Sequence, residues 1–244
     1  METGYKQVVD TNIVENVTSV TGYAPPTETA QSPAREELPL VQLTPTVYTR
    51  FAKDALDRTA ALCALFFVAI PMLVIGVIVL MSMGRPILFQ QRRVGLNGRV
   101  FNVLKFRTMG QDRRLENVSV EQEDRLTHKT DADPRHTAVG KVLRRYSVDE
   151  LPQLVNILRG DMSIVGPRPE LETIVNTKYP KNLDQRHLVR PGLTGLWQIS
   201  ARGEGPMHKN GEWDLTYVEQ ISLLTDIKII CKTPFAMFGR NKGG

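Results

Sequence analysis

The sequence predicts an α/β fold, mostly helical with a small β-hairpin, attached to a membrane through one apolar helical segment. Three observations carry this. The 26 residues from Thr59 to Gly84 hold no charge at all. Asn97-Gly98, a strong tight-turn pair, separates two runs of strand-like composition. Beyond residue 137, apolar side chains recur at helical spacing. A chain of 244 residues, 41% apolar and 23% charged, suits one domain with appendages. It excludes collagen, coiled coil and wholesale disorder.

The formal net charge of +5 is unevenly placed. Residues 1–49 hold two basic and six acidic side chains, so the positive charge lies in the remainder. Residues 1–45 lack an apolar h-region, which predicts no secretory signal. Pro25, Pro26, Pro33, Pro39 and Pro45 break any helix there. Such a stretch buries too little apolar surface to offset its ordering entropy, and reads as a disordered acidic cytoplasmic arm. Cys63 and Cys231 do not make a disulfide framework, so a reducing compartment is expected.

Residues 60–83 number 24 and would reach about 36 Å as a straight helix, enough for a hydrocarbon core of about 30 Å. Pro71 divides them into arms of 11 and 12 residues, each reaching only about halfway across. Its ring removes the bond to the Phe67 carbonyl and predicts a bend. A kinked spanning helix is one solution. The flanks favour another: Arg50, Lys53 and Arg58 precede the run, while Arg85, Arg92, Arg93, Arg99, Lys105 and Arg107 follow it without an intervening acid. Positive flanks stay cytoplasmic, so a re-entrant helix–break–helix at Pro71 competes with a span.

The hairpin is expected over Ile87–Val94 and Arg99–Met109, with Lys105 and Arg107 two positions apart and so on one face. That face suits phosphates or anionic headgroups. Residues 111–137 read as a polar surface loop. Val139–Arg145 is helical in pattern, and a second helix is expected from near Ser147 or Asp149 to Arg159, closed by Gly160.

Asp149-Glu150 admits two readings. Ser147-x-x-Glu150 fits a capping box, and acids suit a helix N-terminus. The surroundings point to chemistry instead: Arg144 and Arg145 precede the pair, Asp161 follows, and Gly166-Pro167-Arg168-Pro169 presents a guanidinium on a stiff backbone. Acids beside fixed cations suit phosphoryl transfer, one carboxylate attacking phosphorus and another holding a divalent ion. Arg190–Gln198 forms a second glycine-punctuated loop. Four scattered histidines lack zinc-ligand spacing, and no Walker loop or dinucleotide fingerprint occurs. Asp214–Leu224 places Leu215, Val218, Ile221 and Leu224 at helical spacing, and Asp226–Phe238 suits a helix in a membrane surface or a packed one.

Lys105–Met109 (KFRTM), Ser147–Pro169 (SVDELPQLVNILRGDMSIVGPRP), Arg190–Gln198 (RPGLTGLWQ) and the Asp214–Thr233 pattern together resemble the bacterial sugar transferase family. These are monotopic polyprenyl-phosphate phosphoglycosyltransferases, and the likeness runs from about Lys53 to about Thr233. It implies transfer of a sugar-1-phosphate from a UDP-sugar to a polyprenyl phosphate, releasing UMP, as the first membrane step of glycan assembly. It also implies Asp149 as nucleophile, through a covalent aspartyl-phosphosugar intermediate, and Glu150 as the Mg²⁺ ligand. Lys105, Arg107, Arg145 and Arg168 match basic positions and are expected to hold phosphates. The family's re-entrant helix breaks at a proline matching Pro71, although the usual Ser-Pro is Ile70-Pro71 here.

The expected divisions are an acidic arm over 1–45, a membrane-associated segment over 46–84, and a catalytic domain over 85–244 that ends in interfacial helices. The resemblance places the chain at the cytoplasmic face of a bacterial inner membrane, touching lipid. A second copy of the chain and downstream glycosyltransferases are candidate partners. Nucleic acid fits poorly, with 7% aromatics and no groove-reading motif. The competing reading is a non-catalytic membrane-tethered scaffold or an anionic-lipid-binding protein.

Overall fold

The computed structural model describes residues 45–110, 137–179, 181–200 and 210–238. The acidic arm and the polar stretch 111–136 lie outside them.

The uncharged run forms one long helix. A π-helical turn over Tyr48–Ala52 leads directly into α1, Lys53–Met83. Together they make the one segment among the described residues long and apolar enough to cross a membrane. Pro71 lies inside α1, and the helical assignment runs through it. The helix ends where Gly84 adopts a φ of 70° and returns its N–H to the Leu80 carbonyl at 2.9 Å. One stripe of α1 faces the protein, with Ala61 and Val79 fully buried. The opposite stripe is bare: Phe66 is 80% exposed and Met81 84%. That apolar surface suits lipid and costs free energy in water.

β1 (Leu88–Val94) and β2 (Val100–Phe106) form the expected hairpin, paired antiparallel from Leu88 opposite Phe106 to Val94 opposite Val100. Asn97 and Gly98 reverse the chain with φ of 52° and 75°, the left-handed conformations for which Asn and Gly are suited. The short strand β4 (Glu170–Leu171) adds to the other edge of β1. A separate parallel pair joins β3 (Ser163–Val165) to β5 (Gly192–Thr194).

α2 (Ala138–Arg145) starts at Thr137, whose Oγ1 accepts the Gly140 N–H at 2.9 Å. α3 spans Gln153–Arg159 and closes at Gly160, φ 84°. The single helix expected from Ser147 or Asp149 is therefore divided. Ser147 takes a left-handed φ of 53°, Val148–Glu150 make one 3₁₀ turn, and Pro152 stands immediately ahead of α3. Proline has no N–H to give a preceding turn, so the α-helix begins after it. The capping box does not form, because Ser147 makes no side-chain cap and the Glu150 carboxylate binds elsewhere.

α4 (Glu172–Lys178), a 3₁₀ segment over Lys181–Leu188, α5 (Leu196–Ser200), α6 (Glu212–Glu219) and α7 (Leu223–Phe238) complete the order. The helix expected over Asp214–Leu224 stops at Glu219. Leu215, Val218 and Ile221 enter the core, whereas Leu224 stays 62% exposed. α7 buries Ile229 and Asp226 and leaves Leu223, Leu224, Ile227, Ile230 and Phe235 bare.

Three apolar clusters hold these elements. One joins Val165, Leu183, Tyr217, Val218 and Ile229. In another, Ala61 of α1 joins Val103 of β2 with Leu154 and Ile157 of α3. The last joins Val79 of α1, Phe106 of β2 and Leu143 of α2. Both halves of α1 thus pack on the body that carries β2. Polar contacts repeat the pattern at each end. Near the start, Lys53 Nζ donates to Asp226 Oδ2 at 2.5 Å and Ser163 Oγ to Asp57 Oδ2 at 2.5 Å. Near the finish, the Arg107 guanidinium donates to the carbonyls of Met83 and Pro86.

Candidate active site

The end of β2, the 3₁₀ turn and the loop between β3 and β4 converge on one carboxylate. Lys105 Nζ donates to Glu150 Oε1 at 2.8 Å, and Arg168 Nη2 donates to the same oxygen at 3.0 Å. Asp149, one residue earlier, is itself buried. The turn is fixed against the strand by Asn156 of α3, a fully buried amide. Its Oδ1 accepts the Leu104 N–H at 3.0 Å, and its Nδ2 donates to Asn102 O at 2.8 Å. One side chain therefore satisfies two backbone groups of β2 beside Lys105.

The Pro167-Arg168-Pro169 backbone is held at three successive carbonyls from three different elements. Gly192 N–H donates to Pro167 O at 2.8 Å, Arg186 Nη2 to Arg168 O at 2.5 Å, and Arg93 Nη1 to Pro169 O at 3.3 Å. The approach of β5 demands glycine: a Cβ on Gly192 would come within 2.1 Å of Gly166 N. Rigid backbone leaves the Arg168 side chain as the loop's freedom.

Burial and charge divide the two carboxyls. Burial raises the Asp149 pKa to about 6, with Lys105 and Arg168 lowering it and Glu150 raising it. Burial also pushes Glu150 upward, but the charges and hydrogen bonds of Lys105 and Arg168 outweigh it and hold this carboxyl well below the usual range. The Glu150 charge in turn raises Arg168 against its own burial. A dipole benefit to Asp149 from a helix start does not prevail, since α3 begins only at Gln153. The result is a glutamate held in its ionised form beside an aspartate whose pKa is raised to about 6.

The family model for bacterial sugar transferases matches residues 48–240. The chain belongs to that family. Its relatives include the exopolysaccharide production protein ExoY of Sinorhizobium fredii, 43% identical over 189 residues, covering 75% of this chain and 83% of that one. The UDP-glucose:undecaprenyl-phosphate glucose-1-phosphate transferase of Xanthomonas campestris is 42% identical over 201 residues, covering 79% of this chain and 40% of that longer protein. A protein of the same name in Escherichia coli is 40% identical over 197 residues, with 78% and 40% covered.

Within this sugar transferase, four of the six charged residues singled out from sequence stand together: Lys105, Asp149, Glu150 and Arg168. Arg107 does not join them. β2 ends at Phe106, so strand alternation no longer governs the next residue, and the Arg107 guanidinium turns to the C-terminus of α1. There it satisfies the Met83 carbonyl, at the last residue of the helix, and the Pro86 carbonyl just beyond it. Arg145 is exposed at the last position of α2, with no ion pair among the described residues. Pro71 sits far along α1, 75% exposed Ile70 beside it.

Asn156 and Arg186 escaped the sequence reading, which took Arg93 only as a cation flanking the apolar run. Asn156 alone left a signal, as the one polar residue in the run Leu154–Leu158. Among the described residues, no three His, Cys, Asp or Glu gather as a metal cage. The donor set nevertheless fits Mg²⁺. That ion takes one or two carboxylates and completes its shell with water and substrate phosphates. Glu150 spends Oε1 on two cations and leaves Oε2 without a hydrogen-bond partner among the described residues.

Proposed function

We propose that this sugar transferase moves a sugar-1-phosphate from a UDP-sugar to a polyprenyl phosphate, releasing UMP, as the first membrane step of bacterial glycan assembly. The carrying observation is a buried Asp149 beside a Glu150 locked by Lys105 and Arg168. The names of the Xanthomonas and Escherichia coli relatives agree with it.

In the proposed reaction, a carboxylate oxygen of Asp149 attacks the phosphorus that bears the sugar. The bond from that phosphorus to the bridging oxygen breaks, and UMP leaves with the electron pair. An oxygen of the polyprenyl phosphate then attacks the same phosphorus, restoring the Asp149 carboxylate and forming the lipid diphosphosugar. Lys105 and Arg168 bind the phosphate oxygens, and the stiff loop delivers Arg168 with little entropy to lose. Glu150 Oε2 would hold Mg²⁺, which when bound neutralises phosphate charge.

The membrane arrangement proposed is re-entrant, with both flanks of α1 at the cytoplasmic face of the inner membrane. Straight, 31 residues would reach about 46 Å, more than the core needs. Yet Lys53 and Met83, at opposite ends of α1, both bind the same catalytic body. Support also comes from the cations on both flanks, which favour one side.

The test is UMP release by purified protein given Mg²⁺, polyprenyl phosphate and a panel of UDP-sugars. At least one sugar is expected to give release. No release with any donor by folded, membrane-bound protein would contradict the activity and favour a non-catalytic scaffold.

A further inference from the structure

Arg186 carries a fully buried guanidinium. Its Nη1 donates to the Tyr179 hydroxyl at 2.9 Å, its Nη2 donates to Arg168 O at 2.5 Å, and Nη2 lies 2.7 Å from Asp214 Oδ2. Its guanidinium carbon also stands 5.0 Å from the centre of the Tyr179 ring. Asp214, in the first turn of α6, is fully buried too.

A buried ion pair of this kind is an expensive way to fill space. Apolar side chains of similar volume often give equal or greater stability, so the pair calls for a geometric reason. The geometry supplies one. Of the three carbonyls of Pro167-Arg168-Pro169, the central one belongs to the residue whose guanidinium meets Glu150, and Arg186 is its donor. Arg186 reaches that carbonyl from the 3₁₀ segment while Asp214 fixes its charge from α6. The connection therefore runs from α6, through Arg186, to the Arg168 backbone and on to Glu150.

We propose that Arg186, held by Asp214, is a positioning residue that sets Arg168 for phosphate binding in the transfer reaction. The assignment rests on the activity proposed above. It requires arginine, because a planar fork serves acceptors lying in different directions, whereas a lysine ammonium is a single point on a flexible stem.

The test is a double-mutant cycle in the full-length protein, following kcat and KM for the donor together with the melting temperature. Arg186→Lys keeps the charge for Asp214 and is expected to lower kcat about 10- to 100-fold with little loss of melting temperature. In an Arg168→Ala background the same substitution is expected to change kcat less than about twofold, because its route is already cut. An equal fold-loss in both backgrounds would overturn the assignment and leave Arg186 a purely structural residue. Full activity in Arg186→Lys would overturn it as well. Should Arg186→Lys fold poorly, Arg186→Gln with Asp214→Asn removes both charges together and enters the same cycle with the same expectation. Unimpaired turnover by Arg168→Ala alone would instead overturn the phosphate-binding role of Arg168, a distinct result from an additive cycle.

Discussion

Asp149 and Glu150, adjacent in one 3₁₀ turn, carry carboxyls driven in opposite directions. Burial lifts Asp149 to about 6, while two cations on one oxygen hold Glu150 low despite its burial. A nucleophile with a raised pKa is more basic and still largely ionised at pH 7. A neighbour held well below the usual carboxylate range by two cations keeps its charge for a metal ion across the same range.

The first expectation concerns pH. Lys105, Arg168 and Glu150 are the charged groups facing Asp149, and burial is the largest influence on it. Attack requires the ionised form, so the rate should be full above the pKa and fall as pH drops through about 6. A profile of initial UMP release between pH 5 and 8 measures this. A profile flat down to pH 5 would contradict the electrostatic assignment.

Asp149→Asn should abolish turnover and also stabilise the protein. The folded pKa, about 6, exceeds the ordinary 3.8, so the folded state binds the proton more tightly. Stability contributed by this group rises as pH falls from about 6 to about 4, and ionisation at pH 7 costs roughly 2–3 kcal/mol. Asparagine removes that cost at constant shape. Thermal unfolding at pH 7 should shift upward by about 4 °C or more. An unchanged or lower midpoint would show that the buried carboxylate is not under strain.

Arg107 and Lys105 should separate. Arg107 donates from a buried position to carbonyls of Met83 and Pro86, so Arg107→Ala should cost about 2–3 kcal/mol of stability. Folded Arg107→Ala protein should retain most of its turnover. Lys105→Ala should do the reverse, sparing the fold and lowering turnover at least about 100-fold. Melting curves beside UMP-release rates distinguish the two.

Topology can be read by labelling. In a background lacking Cys63 and Cys231, cysteines at Arg50 and Ser82 mark the two ends of the long helix. A membrane-impermeant thiol reagent applied to intact cells should spare both, and both should react after permeabilisation. Labelling of one alone in intact cells would require a span.

Local chemistry was legible in the sequence and long-range pairing was not. Asn97-Gly98 announces its turn because Asn and Gly are the residues that take positive φ most readily, and both do so here. The Asp149-Glu150 pair and Arg168 stood out through their neighbours, and the structure brings Arg168 to Glu150. The helix boundary was misjudged because Pro152 has two tolerable places, inside a first turn or just before it. Arg107 departs from the expected face because the strand ends at Phe106, three residues short of the expected Met109. Asn156 meets β2 from 52 residues away and Arg186 meets Asp214 only through folding, so neither partner is visible along the chain.

The central claim is a covalent phosphosugar on Asp149. Intact-protein and peptide mass spectrometry after incubation with Mg²⁺ and a UDP-sugar, without acceptor, tests it most directly. The expected result is a gain equal to one sugar-1-phosphate minus water on the peptide containing Asp149, lost when polyprenyl phosphate is added and absent in Asp149→Asn. An adduct on another residue, or turnover with no adduct under rapid quench, would contradict it.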